Sequence, residues 1–232
     1  MRRVHLLLTV LVIGGCAGLT GVQLDQEYGE ARPRYRLTSA ATSEAVDYWR
    51  DVKPVLESRC VACHGCWDAP CQLKLTAFEG IDRGLSKTLV YDGARPSPAR
   101  LTRLFEDAHA VDEWRQLRFH PVLNERDQTP AANLNAGVMA RALTLKRRNP
   151  LPETRTLPAS FDLSLSRDQQ CPTIEEFDRF ESKFPLWGMP YALPAVSADD
   201  ERVLMSWIEE GAPYRPPAAL GDEYEARISR WE

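Results

Sequence analysis

Cys60-Val61-Ala62-Cys63-His64-Gly65-Cys66-Trp67-Asp68-Ala69-Pro70-Cys71 is the stretch on which the fold reading turns. Two thiols separated by two residues reach the two vinyl groups of one porphyrin, and a His directly after the second thiol falls under the iron as proximal ligand. Cys60, Cys63 and His64 are therefore read as the attachment and ligation set of one covalent haem c per chain. Two other chemistries compete for these cysteines. Bacterial iron-sulfur runs place the fourth Cys just before Pro, whereas here Pro70 precedes Cys71 and no second cluster motif follows. A zinc site wants ligands from two separated pairs, and only one compact group is present.

Outward from the motif, the N-terminus supports an exported chain. Arg2 and Arg3 precede the apolar run from Leu6 to Ile13, which is too short to span a bilayer and reads as a signal peptide over residues 1–15. Ile13-Gly14-Gly15-Cys16 resembles a lipobox, making Cys16 the lipidated first residue of a mature periplasmic protein anchored to a membrane. Ordinary cleavage a few residues later is the alternative. The formal charge of -4 across 232 residues offers no basic face for nucleic acid. Of the six cysteines, Cys66, Cys71 and Cys171 remain after lipid and haem are assigned, enough for one disulfide whose pairing is open. Residues 16–42 lack a period and read as a linker.

A helical domain is expected over 43–215, with a tail at 216–232. Ser43 is the expected N-cap of its first helix, with Glu44 and Asp47 in the first turn and Val46, Trp49 and Val52 on one face. Pro54 should kink or restart that helix before Cys60. Ser97-Pro98 should open another, burying Leu101, Leu104 and Phe105. Leu134, Val138, Met139, Ala142 and Leu143 mark a further one that stops at Asn149-Pro150. Thr173-Ile174-Glu175-Glu176 is a capping box before Phe177, Phe180 and Phe184. Ser197 caps a last helix carrying Val203, Leu204, Trp207 and Ile208, ended by Gly211. The fold class is thus mainly α. The domain expected is cytochrome c-like, with a long helical insertion between the C-x-x-C-H motif and a distal Met loop. In that loop, Trp187-Gly188-Met189-Pro190-Tyr191, Met189 is the expected sixth iron ligand; His120, then His109 and Met139, are the alternatives, and Met205 reads as packing.

The run CVACHGCWDAPCQLKL from Cys60 to Leu75 resembles the haem motif of bacterial fatty acid cis/trans isomerases. The likeness continues through Phe78-Glu79-Gly80, Arg83-Gly84, Val90-Tyr91-Asp92, Thr102-Arg103-Leu104-Phe105, Trp114-Arg115, Val122-Leu123-Asn124, Leu157-Pro158, Cys171-Pro172 and Gly188-Met189-Pro190-Tyr191. Members of that family are longer, so the chain looks like its N-terminal haem portion, truncated after the closing helix. The resemblance implies haem-dependent conversion of cis to trans double bonds in membrane phospholipid acyl chains, without migration of the double bond. His64 and Met189 are then the implied catalytic pair. Two other functions fit the pentapeptide: a mono-haem electron carrier with a redox partner, and a non-catalytic haem-binding module. The long interval between His64 and Met189 argues against a minimal carrier, and no dinucleotide- or phosphate-binding glycine motif is present.

Overall fold

Asp47 caps the helical run that leads to the thiol motif: its side chain accepts hydrogen bonds from the Trp49 and Arg50 amides. The computed structural model describes residues 20–34, 36–37, 46–65, 69–88, 100, 102–154, 156–163, 171–216 and 221–231. The expectations for residues 1–15, Cys16, Ser43, Glu44, Cys66, Ser97, Pro98 and Leu101 lie outside these. The run is a single π-helical turn, Tyr48–Val52, feeding helix α2, Lys53–Arg59, with Pro54 in the first turn where its missing N–H costs nothing. Residues 20–28 form α1. Next come α3 (Val61–His64), α4 (Phe78–Arg83), α5 (Val111–Gln116), α6 (Pro130–Asn135), α7 (Val138–Arg148), α8 (Phe177–Lys183), α9 (Ala198–Glu209) and α10 (Gly221–Trp231). The only strands among the described residues are β1 (Leu85–Ser86) and β2 (Phe119–His120), paired antiparallel. The protein is mainly α.

Several caps fall where the sequence puts them. Thr173 and Glu176 close a reciprocal capping box ahead of α8. Ser197 accepts from Asp200 at the start of α9, and Gly211 ends it with φ +89°. Asn149 terminates α7. Residues 102–110 differ from expectation: Leu104 forms an isolated bridge to Ala108, and Phe105 sits at φ +65° in the turn between them, so no helix forms there.

The supposed linker is also docked. Tyr28 O accepts from the Asp127 amide, Arg34 donates to the carbonyls of Glu125 and Arg126, and Leu37 bridges to Tyr214. The supposed tail is α10, which buries Ile228 and Trp231. Both ends converge on α4, of which all six residues are buried. Phe78 stacks on Tyr214 at 4.0 Å, Tyr224 donates to Glu79 at 2.6 Å, and Asp82 accepts from Arg36 at 3.1 Å and from Trp231 at 3.1 Å. Arg83 donates to Gln72 O and lies against the Trp114 and Phe119 rings. Burial lowers its guanidinium to about 10. The main core gathers Tyr48, Phe78, Trp207 and Tyr214, and a smaller one gathers Val111, Trp114, Phe119 and Trp231.

Candidate functional site

Helix α2 delivers the thiol motif. At Cys60 the backbone leaves the helical region (φ -125°, ψ -39°), and α3 restarts on it: Cys60 O accepts from the Cys63 and His64 amides at 3.1 and 3.0 Å. Cys60, Cys63 and His64 therefore share one turn. Cys60 is half-buried and Cys63 exposed, and neither is in a disulfide. Burial pushes the Cys60 thiol up to about 11, so it is a poor nucleophile on its own.

His64 is held from behind. Its Nδ1 lies 3.2 Å from Leu73 O, and its own carbonyl accepts from the Leu75 amide at 2.8 Å. A carbonyl can only accept, so Nδ1 carries the hydrogen and Nε2 is left as the free lone pair. This is the arrangement by which an outer hydrogen bond fixes the tautomer and aim of a metal-ligating imidazole. Burial holds the ring pKa below its usual value, favouring the neutral ligating form.

The segment supplying Leu73 is pinned in turn. Cys71 is bonded to Cys171, with Cα atoms 5.5 Å apart. Of the three pairings left open by sequence, this one removes Cys71 from any four-cysteine nest, which weighs against the zinc and iron-sulfur readings. No three His, Cys, Asp or Glu side chains among the described residues are grouped to cage a bare metal ion.

Met189 sits half-buried, with its amide donating to Ala142 O of α7 at 3.0 Å and a cis bond to Pro190. Gly188 is pressed so close to α7 that a Cβ there would lie 2.6 Å from the Lys146 Cα. Lys146, almost fully buried, donates to Leu193 O at 3.2 Å, and burial lowers its ammonium to about 8. The loop also meets the thiol helix, because Arg59, the residue before Cys60, donates to Ala195 O at 3.3 Å. The Arg59 Nε is buried with no partner, an orphan cationic donor beside the motif. A haem fits these residues: two unpaired thiols one turn apart, an aimed imidazole, and a guanidinium suited to a propionate.

The alternatives differ in their setting, and Met139 lies on α7, the helix that also holds the Met189 amide. His120 is paired with Leu85 in the β ladder, His109 is exposed with its amide bonded to Glu113, and Met139 and Met205 pack against the core. Sequence reasoning missed Lys146, Arg59, Glu79, Asp82 and Arg83.

The fold and this site define a helix-rich protein in which the helix leading into a Cys-x-x-Cys-His turn bonds, through Arg59, to Ala195 on the segment that follows Met189. The model of the family described as fatty acid cis/trans isomerase (CTI) matches residues 99–232, more than half of the chain, which therefore belongs to that family. The match includes the Met189 loop and begins after the thiol motif. No curated protein and no solved structure matches the chain.

Proposed function

We propose that this isomerase uses a covalent haem c to convert cis double bonds of unsaturated phospholipid acyl chains to trans, leaving the double bond in place. The observation that carries the reading is the family match over residues 99–232. Cys60 and Cys63 would form the thioethers, and His64 Nε2 and Met189 would ligate the iron. Bound there, the haem would supply electron withdrawal that weakens a C=C π bond enough to allow rotation.

The chain's own residues do the rest. Leu73 O keeps the imidazole tautomer fixed, Arg59 offers its unpartnered N–H to a propionate, and α7 fixes the Met189 loop through Ala142 and Lys146. An export signal and lipid on Cys16 would place the protein in the periplasm beside its acyl substrate. An electron carrier is not favoured by the family match.

Expression in a host able to attach haem to thiols, followed by measurement of trans to cis ratios in phospholipid fatty acids, tests the reading. Trans chains should accumulate with the wild type and not with His64→Ala. The pigment should resist acid-acetone extraction and be lost in a Cys60→Ala/Cys63→Ala variant. Equal trans accumulation in the His64→Ala strain would remove haem from the reaction.

A further inference from the structure

Arg83 of α4 is buried to 1% exposure, and among the described residues no carboxylate is paired with it. Its Nε has no partner, and a buried cation with an unpaired N–H is costly. The rings it lies against, Trp114 and Phe119, would pack as well on an apolar side chain. What Arg83 does hold is one point of backbone. Nη2 donates to Gln72 O; Nη1 donates to Thr102 Oγ1 at 3.3 Å, and that hydroxyl donates to Gln72 Oε1 at 2.7 Å. Gln72, itself buried, is thus held at its carbonyl and at its side chain by one connected group.

The held residue stands in a strained turn. Cys71 and Gln72 lie at φ +60° and +49°, two successive left-handed residues that carry a Cβ, a conformation that persists only where surrounding contacts over-determine it. The turn leads straight to the carbonyl behind His64. The peptide plane between Gln72 and Leu73 is fixed at both ends, its carbonyl by Arg83 and its N–H by Pro70 O at 3.2 Å. The plane between Lys74 and Leu75 is fixed as well. A Cβ at Gly80 of α4 would collide with its carbonyl, and its N–H donates to His64 O at 2.8 Å. Leu73 O, 3.2 Å from His64 Nδ1, belongs to the plane between these two.

We propose that Arg83 is a positioning residue for His64: by clamping Gln72 it keeps the Leu73 carbonyl where it fixes the hydrogen on Nδ1 and the rotation of the imidazole ring. Helix α4 is then the backstop of the thiol-His turn, reaching it through Arg83 at Gln72 and through Gly80 at Lys74. The consequence for an iron rests on the haem reading above; the placement of the ring does not.

The test uses the full haem-loaded chain. Arg83→Met removes the clamp, Thr102→Val keeps the side-chain shape and breaks only the link to Gln72 Oε1, and Ile228→Ala in α10 controls for loss of stability alone. Deuterium exchange of the His64 Nδ1–H, followed by proton NMR, should quicken roughly fivefold or more in Arg83→Met, the factor that one net hydrogen bond is worth, and by less in Thr102→Val. The spread of the haem methyl shifts in the ferric state, which reports the imidazole plane, should change with it. Arg83→Lys, which retains a donor for Gln72 O, should fall between the wild type and Arg83→Met. Unchanged exchange and methyl shifts in Arg83→Met, or equal changes in Ile228→Ala, would overturn the proposal. If Arg83→Met does not fold, Thr102→Val decides by the same two readings. A wild type without covalent haem sinks the haem reading instead, and the nitrogen-15 shifts of His64 in that chain then decide the clamp. Hydrogen on Nδ1 in the wild type and a shift toward Nε2 in the Arg83→Met and Thr102→Val chains support it; hydrogen on Nε2 in the wild type, or one tautomer balance in all three, overturns it.

Discussion

Glu79 shows how one side chain can set a pH dependence for the whole fold. It is almost fully buried, with the Tyr224 hydroxyl on one oxygen, and burial holds its carboxyl above the usual carboxylate range despite that hydrogen bond. A carboxyl raised on folding contributes stability that is complete below its unfolded pKa and lost as pH climbs through the raised native value. Glu79→Gln keeps an oxygen for Tyr224 and removes the titration. Denaturant melts from pH 4 to 7.5 should therefore find the wild type at least as stable as the variant at the acid end and falling behind it toward neutrality. A pH-independent difference would show that Glu79 does not titrate in this range. Gly188 supplies a steric counterpart. A methyl group there enters the space of the Lys146 backbone, so Gly188→Ala should cost about 1–3 kcal/mol in thermal melts. Because Met189 follows directly, the haem c reading proposed above expects the variant to alter the haem absorption spectrum as well.

At the level of elements, the disulfide between Cys71 and Cys171 closes a covalent loop with a separation of 100 residues. Removing it by Cys71→Ser/Cys171→Ser should cost roughly 4–5 kcal/mol on the chain-entropy model, read from denaturant midpoints. Since Leu73 lies two residues beyond Cys71, the variant should also loosen the carbonyl that orients His64, which on the haem c reading proposed above would broaden the haem spectrum. Which elements were legible follows from how local their causes are. The capping box at Thr173, the Ser197 cap and the Gly211 stop each depend on neighbours within four residues, and all three stand as the sequence indicates. The thiol-His turn is equally local. Helix α4 was not legible as a core element, because Phe-Glu-Gly-Ile-Asp-Arg is half polar. Its burial depends on Arg36, Gln72, Tyr224 and Trp231, most of them far away in sequence. The same holds within the stretches read as linker and tail, where Arg36 and Trp231 both bond to Asp82 on α4.

Across the whole molecule, that convergence makes the two termini of the described fold answer to one carboxylate. Asp82 gives Oδ1 to Arg36 from the N-terminal segment and Oδ2 to Trp231 from the C-terminal helix, and burial holds its carboxyl above the usual range although Arg36 opposes the shift. Arg36 also donates to the carbonyls of Asn124 and Gly211, both at 2.6 Å, so the same guanidinium ties the segment after α1 to the start of the 124–128 turn and to the end of α9. With a shared partner, the two contacts cannot be independent. Once Arg36→Met removes the cation, Asp82 should take up a proton, and the indole N–H then faces a neutral acid and contributes less. A double-mutant cycle of Arg36→Met with Trp231→Phe, which keeps an aromatic ring in the smaller core, should give a coupling energy of about 0.5–3 kcal/mol by denaturant unfolding. The single Arg36→Met substitution should be the more costly one, since it also removes the donor to Gly211 O and leaves Asn124 O only the long contact from Gln128 Nε2 at 3.4 Å. Strict additivity of the two substitutions would mean that the N-terminal segment and α10 are held separately, and unfolding should then separate into two transitions when followed by far-ultraviolet circular dichroism and by tryptophan fluorescence.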